Sequence, residues 1–149
     1  MQSLFDKNAL DSLVGRIEQL TPETQAKWGK MNVSQMLAHC SSTMEVVRDQ
    51  KHIKRVTVGY LIGGLLKKNF FNDKPFSKNS PTHPYFVQTN TAEFEQEKQT
   101  LINHLTAFQE GGKAKCTKQP HAFFGNLNEE QWAMGMYKHT DHHLQQFGV

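Results

Sequence analysis

Apolar residues recur along this chain at helical spacing, and in four stretches they line up into a stripe. In the first, Leu10, Leu13, Val14 and Ile17 repeat every three to four positions, which predicts an amphipathic helix from about Lys7 to Leu20 with Asp6 as N-cap. Thr21-Pro22 stops it, because proline lacks a backbone donor and restricts the residue before it. The second stretch opens on Asn32-Val-Ser-Gln35, a cap with its capping-box partner, and continues through Met36, Leu37, Cys40, Met44 and Val47. The third carries Phe94, Leu101, Ile102, Leu105 and Phe108, between the cap-like quartet Asn90 to Glu93 and the stop Gly111-Gly112. The fourth, capped by Asn128-Glu-Glu-Gln131, presents Trp132, Met136, His139, His143 and Phe147 on one face, with Gln146 at its edge. Lys138, Asp141 and Gln145 fall on the other side.

The intervening segments are weaker. Val56 to Leu66 is apolar, but Gly59, Gly63 and Gly64 each cost about 1 kcal/mol relative to alanine in a helix. The expectation is a short or broken helix laid across the bundle as a cover, its basic ends solvated. Lys74 to Thr89 is interrupted by Pro75, Pro81 and Pro84 and reads as a long linker, in which His83 is structural or exposed. Lys113 to Leu127 is a second connector, with Phe123-Phe124 as a plug under the helices and His121 as a surface histidine. His104 flanks the third stripe and is given a packing role. Without a convincing strand or repeat, these features predict an all-α fold. It is a four-helix bundle, one domain over 1–149, with a long connection between the second and third of its helices.

Composition narrows the function classes. Hydrophobic residues make up 37% and charged residues 21%, as in ordinary globular domains. The net charge of +3 is spread along the chain apart from a small basic bias at Lys51 to Lys68, which argues against a nucleic-acid partner. The longest apolar run has nine residues where a membrane span needs about 20, so no membrane partner is expected. Cys40 and Cys116 form no ligand spacing and no signal peptide precedes them, which fits reduced thiols and a cytoplasmic setting.

The chemistry concentrates in histidines. His139 and His143, four residues apart on the inward stripe, stack on one helix face with Cβ atoms roughly 5–6 Å apart, close enough to converge on one metal ion. His39 flanks the Met36/Cys40 stripe, with Gln35 and Thr43 on its own row. Three imidazoles suit zinc, nickel, iron or copper and leave a coordination position open for water or substrate. Thr140 follows His139, so the glutamate of the zincin motif is missing. His142 could pair with His139 instead, but it lies about 100° from His143, toward the polar flank, which assigns it to the surroundings of the site or to the surface. A nucleophilic pair of His39 and Cys40 fails, since adjacent helical positions diverge by the same angle. Because ligation needs neutral rings, metal affinity is expected to weaken as pH falls through about 6.5.

Three stretches carry a family resemblance: Trp28-Gly-Lys-Met-Asn-Val-Ser-Gln-Met-Leu-Ala-His39, the linker Lys74-Pro75 to Lys78-Asn-Ser-Pro81, and the ending from His121-Ala-Phe-Phe-Gly125 through Tyr137-Lys-His139-Thr-Asp-His142-His143-Leu-Gln-Gln146 to Val149. In these the chain resembles the DinB/YfiT-like superfamily of metal-dependent four-helix bundles, in a branch of unknown function. The superfamily pattern, one histidine on helix two and His-x-x-x-His on helix four, falls on His39, His139 and His143. Where many relatives continue with Arg-Gly-Gln, this chain has Leu-Gln-Gln146, so no role tied to that arginine carries over. The resemblance implies a divalent metal, zinc or nickel, and a homodimer. It also implies a small-molecule substrate such as the thiols bacillithiol, mycothiol or glutathione, used in transfer reactions. The expected site is therefore His39, His139 and His143 as ligands, with His142, Gln146, Gln35 and Thr43 around them. The expected function is activation of a thiol or water for transfer or hydrolysis. The competing expectation is a non-catalytic binding bundle whose metal is structural or absent.

Overall fold

The computed structural model describes residues 1–72, 74–89 and 93–149, with residues 68 and 69 as backbone only. The described residues form five α-helices: α1 (Lys7–Glu18), α2 (Val33–Val47), α3 (Thr57–Phe70), α4 (Phe94–Gly111) and α5 (Glu129–Gln146). Short 3₁₀ turns lie at Pro84–Phe86 and Lys113–Lys115. The architecture is all-α, and among the described residues the only strand-like pairing is an isolated bridge between His121 and Gly125. Among the described residues, no helix is long and apolar enough to cross a membrane.

Helix ends follow the local chemistry. Asp6 accepts from the Asn8 N–H at the start of α1, and full capping boxes open α2 (Asn32 with Gln35) and α5 (Asn128 with Gln131). α1 stops at Glu18, two residues short of the expected end, where the Leu20 N–H bonds the Ile17 carbonyl in a tightened turn. α4 begins at Phe94 with Glu93 as cap; the quartet expected to open it includes Asn90, Thr91 and Ala92, which lie outside the described residues.

α1, α2, α4 and α5 pack on one another around a continuous apolar core. Leu13, Ile17, Met36, Leu37, Met44, Leu101, Leu105, Phe108 and Leu144 are all essentially inaccessible there. All but Leu144 belong to the predicted stripes; Leu144, beside His143 on α5, lies outside the fourth stripe as predicted. An Arg16–Asp141 ion pair of 2.6 Å, about a quarter exposed, ties α1 to α5, so Asp141 faces a neighbouring helix rather than open solvent.

α3 departs from expectation. It is an unbroken helix whose glycine face packs on the 121–125 loop, and only its last turn reaches the four packed helices, where Lys138 of α5 donates to the Phe70 carbonyl. The glycines that looked like breakers permit this close approach. A Cβ at Gly59 would sit 2.6 Å from the Phe123 carbonyl oxygen, and one at Gly63 would also fall inside 3.0 Å of that atom. Gly64, one position on, faces nothing within 4 Å. Phe123-Phe124 thus packs against α3, not beneath the four packed helices. The outward side of α3 leaves Val58, Tyr60, Leu61, Ile62 and Leu65 exposed.

The two adjacent glycines give opposite expectations. Gly63→Ala should destabilise by about 1–3 kcal/mol, because the methyl group must displace backbone. Gly64→Ala should stabilise by about 0.5–1 kcal/mol through helix propensity alone. Urea unfolding of the two variants checks this, and equal effects would count against the packing of α3 on Phe123.

Candidate metal centre

α2 and α5 bring His39, His139 and His143 together at the edge of the core. Their ligand-type nitrogens all lie within 4.8 Å of one another. The ring centroids are 5.0 Å apart for His39–His139, 4.8 Å for His39–His143 and 4.7 Å for His139–His143. His39 and His143 are buried, and His139 is partly so.

What orients the rings is a pair of outer hydrogen bonds. The His39 Nδ1–H donates to the Phe86 carbonyl at 2.9 Å, and the His143 Nδ1–H donates to Gln146 Oε1 at 2.8 Å. In a neutral imidazole, spending one nitrogen as donor leaves the other as a lone pair. Both Nε2 atoms are therefore acceptors. The His39 Nε2 lies 3.0 Å from the His139 Nε2. Two lone pairs at that distance repel unless a proton or a cation lies between them. Two imidazoles on one zinc-like ion place their nitrogens about 3.3 Å apart, close to the observed spacing. The His139 Nδ1 is buried without a partner among the described residues. The donor set thus fits a metal ion.

Gln146 is itself held. Its side-chain amide donates to the Trp28 carbonyl at 2.6 Å, and its backbone carbonyl accepts from the Lys27 N–H at 2.8 Å. Gly29, with φ of +86°, passes so close to this amide that any Cβ there would strike it. The chain Trp28–Gln146–His143 is a relay that fixes one ring by two bonds.

The other expected neighbours divide. His142 is half-buried with its ring near Trp28 (5.8 Å), Phe76 (5.7 Å) and His143 (5.3 Å), so it belongs to an aromatic wall beside the cluster. Gln35 instead accepts from the Asn32 N–H in the α2 cap, and Thr43 donates to the Cys40 carbonyl at 2.8 Å. Both spend their polar groups on their own helix, a common competition for short polar side chains. Two partners were not foreseen, the Phe86 and Trp28 carbonyls, and backbone oxygens carry no side-chain signal. The linker read as structureless contains the 3₁₀ turn that delivers Phe86. His121 is not at the surface: its ring stacks on Phe124 (4.7 Å) and near Trp132 (5.2 Å), and its Nδ1 accepts from the Phe123 and Phe124 N–H groups.

Burial sets the protonation of the group. It pushes the His143 imidazole down to about 3, with His39 adding to the effect and Gln146 opposing it. Burial also holds His39 below its ordinary range against the Phe86 bond, and lowers His139 strongly with help from His143 and His39. Proton competition for the site therefore begins below pH 6.5, lower than unburied histidines would give. Both cysteines are buried. Burial raises the Cys116 thiol to about 11 and the Cys40 thiol further, so neither is a nucleophile near neutrality.

A family model matches residues 2–148. The chain belongs to the family described as protein of unknown function DUF1569. No curated protein and no solved structure gave a significant match. The family description assigns no activity, so the chemistry has to be argued from the residues.

His121 generates a pH prediction independent of any metal. Burial lowers its imidazole from 6.5 to about 4. The unfolded chain takes up this proton near 6.5 and the folded chain only near 4, so stability should fall as pH drops between those values. The full loss, about 3 kcal/mol, is reached below the lower one. His121→Gln keeps an acceptor that does not titrate, and urea unfolding between pH 7 and 4 should show a shallower pH slope for it than for the wild type. Identical slopes would contradict the buried neutral ring.

Proposed function

We propose that this chain is a metal-dependent enzyme in which His39, His139 and His143 hold one divalent cation, zinc or nickel, for transfer or hydrolysis on a small molecule. The observation carrying the reading is the pairing of outer bonds: Phe86 and Gln146 take the N–H of two rings, which turns their lone pairs inward on the third. Tethers of this kind accompany metal-ligating histidines and fix their tautomer. The resemblance to DinB/YfiT-like proteins supports the same assignment, with α1, α2, α4 and α5 as the four-helix bundle and α3 within its long connection.

A cation with three imidazole ligands supplies Lewis acidity and a lowered pKa for a coordinated water or thiol. The chain's own groups do the rest. His39 and His143 stay neutral and fixed in tautomer, and Phe86 and Gln146 hold their angles. Trp28, Phe76 and His142 form an aromatic wall beside the group, which shields one side of it from bulk water. Since Cys40 and Cys116 stay protonated, the nucleophile is exogenous. A low-molecular-weight thiol is the substrate class the resemblance favours, and water is the alternative.

A non-catalytic binding role has one observation in its favour, the uncovered apolar side of α3. Metal removal separates the two readings. Protein purified without a nickel column should carry close to one metal per chain, and His139→Ala should lose it while keeping its helicity. Gln146→Ala should weaken metal affinity about 10–100-fold, as loss of an outer-shell partner does. Unfolding on chelation would make the site structural, and metal-free wild-type protein would remove the basis for the enzyme. A screen of small thiols against epoxides and aryl halides then tests the transfer chemistry.

A further inference from the structure

We infer that the outer face of α3 docks on an anionic lipid surface. α3 has two distinct sides. Gly59 and Gly63 face Phe123, while Val58, Leu61, Ile62 and Leu65 form an i, i+3, i+4, i+7 row about 120° around the helix. That row is 48, 82, 41 and 73% exposed; Tyr60, 66% exposed, lies about 100° beyond its nearest member, Leu61, with the Arg55 guanidinium over its ring. Contiguous apolar surface of this kind on a soluble domain marks an interaction site more often than chance exposure.

Charge identifies the occupant. Residues 51–72 contain Lys51, Lys54, Arg55, Lys67 and Lys68 and no aspartate or glutamate. The segment is therefore +5 in a chain of net +3, leaving the remainder at −2 (three less five). Lys51 and Lys54 are exposed. Arg55 and Lys67 bond the Gly59 and Asn126 carbonyls, which carry no net charge to cancel theirs. An apolar row with basic residues before and after it in the chain is the pattern of a helix lying in the plane of a membrane interface. A second copy is disfavoured: pairing α3 with α3 sets basic ends against basic ends in either direction. An acidic protein is less suited, because the row offers no polar group to fix its register. This departs from the expectation of no membrane partner, which rested on an apolar run too short to span a bilayer.

The test is vesicle co-sedimentation of the full chain, using phosphatidylcholine alone or with about 30 mol% phosphatidylglycerol. The wild type should pellet with the mixed vesicles, bind the neutral ones about tenfold less, and lose binding as salt rises. Leu61→Asp with Leu65→Asp should abolish pelleting while leaving the thermal unfolding curve in place, since both side chains are exposed. Lys51→Glu with Lys54→Glu should weaken it about tenfold or more, which tests the proposal even if the aspartates disturb folding. Absence of wild-type binding to mixed vesicles would overturn the proposal, as would equal binding by both double variants. A wild-type dimer that the leucine variant dissociates, without lipid binding, would assign the face to a second copy. Metal content is unaffected in all these outcomes, so the result is independent of the proposed enzyme.

Discussion

A neutral imidazole has one N–H and one lone pair, and tethering the first aims the second. The candidate centre depends on this constraint. Phe86 holds the His39 N–H and Gln146 holds that of His143, so neither ring can turn its lone pair away without giving up a hydrogen bond. In a partly buried setting that loss exposes an unsatisfied donor and costs about 1–3 kcal/mol. The arrangement is thereby preorganised: the Nε2 lone pairs of His39 and His143 are fixed in direction, and the 3.0 Å gap between the His39 and His139 Nε2 atoms is filled by a shared proton where no cation lies between them.

The site's supports come from parts of the chain far apart in sequence. α5 supplies His139, His143 and Gln146, and α2 supplies His39. The 3₁₀ turn at Pro84–Phe86 supplies one carbonyl, and the Trp28-Gly29 corner before α2 supplies the other. None of these belongs to the apolar cluster of Leu13, Ile17, Leu37, Leu105 and Phe108 that holds the helices together. Fold and site are thus largely separable. The core binds α1, α2, α4 and α5 by burial, while the 3₁₀ turn meets the histidines through the Phe86 carbonyl and the Trp28-Gly29 corner through two hydrogen bonds with Gln146.

Legibility in the sequence followed the range of the interactions. Caps at Asp6, Asn32 and Asn128 and the His139/His143 pair rest on contacts within four residues, and a periodic pattern exposes those. That His39 joins them depends on α2 meeting α5, which only its position beside a buried stripe hinted at. His121 was misplaced because its burial comes from Phe124 and Trp132 folding over it, and nothing in Pro120-His-Ala announces that. Gln35 and Thr43 share a helical row with His39, yet shared direction does not decide which acceptor a short polar side chain takes. The α3 glycines were read through propensity alone, whereas Gly59 and Gly63 are small because another backbone passes there.

That same closeness joins α3 to the histidines. The rings of Phe70 and Phe71 reach to about 3.5 Å from where a Cβ would stand on Gly135, one turn before His139. Phe70 also packs on Phe76 and Phe124 at 4.6 and 4.4 Å between centroids. Lys138, next to His139, donates to the Phe70 and Asn72 carbonyls and so caps the end of α3 from the ligand-bearing helix. α3 therefore has its glycine face on the 121–125 loop, its apolar row outward, and its last turn against the wall of the site. Beyond the Lys138 bonds, that last turn is held by ring contacts of Phe70 with Phe76 and Phe124. Whatever fixes the outer face of α3 therefore also bears on the aromatic wall beside the three rings, because Phe70 packs on Phe76 and Phe76 on His142.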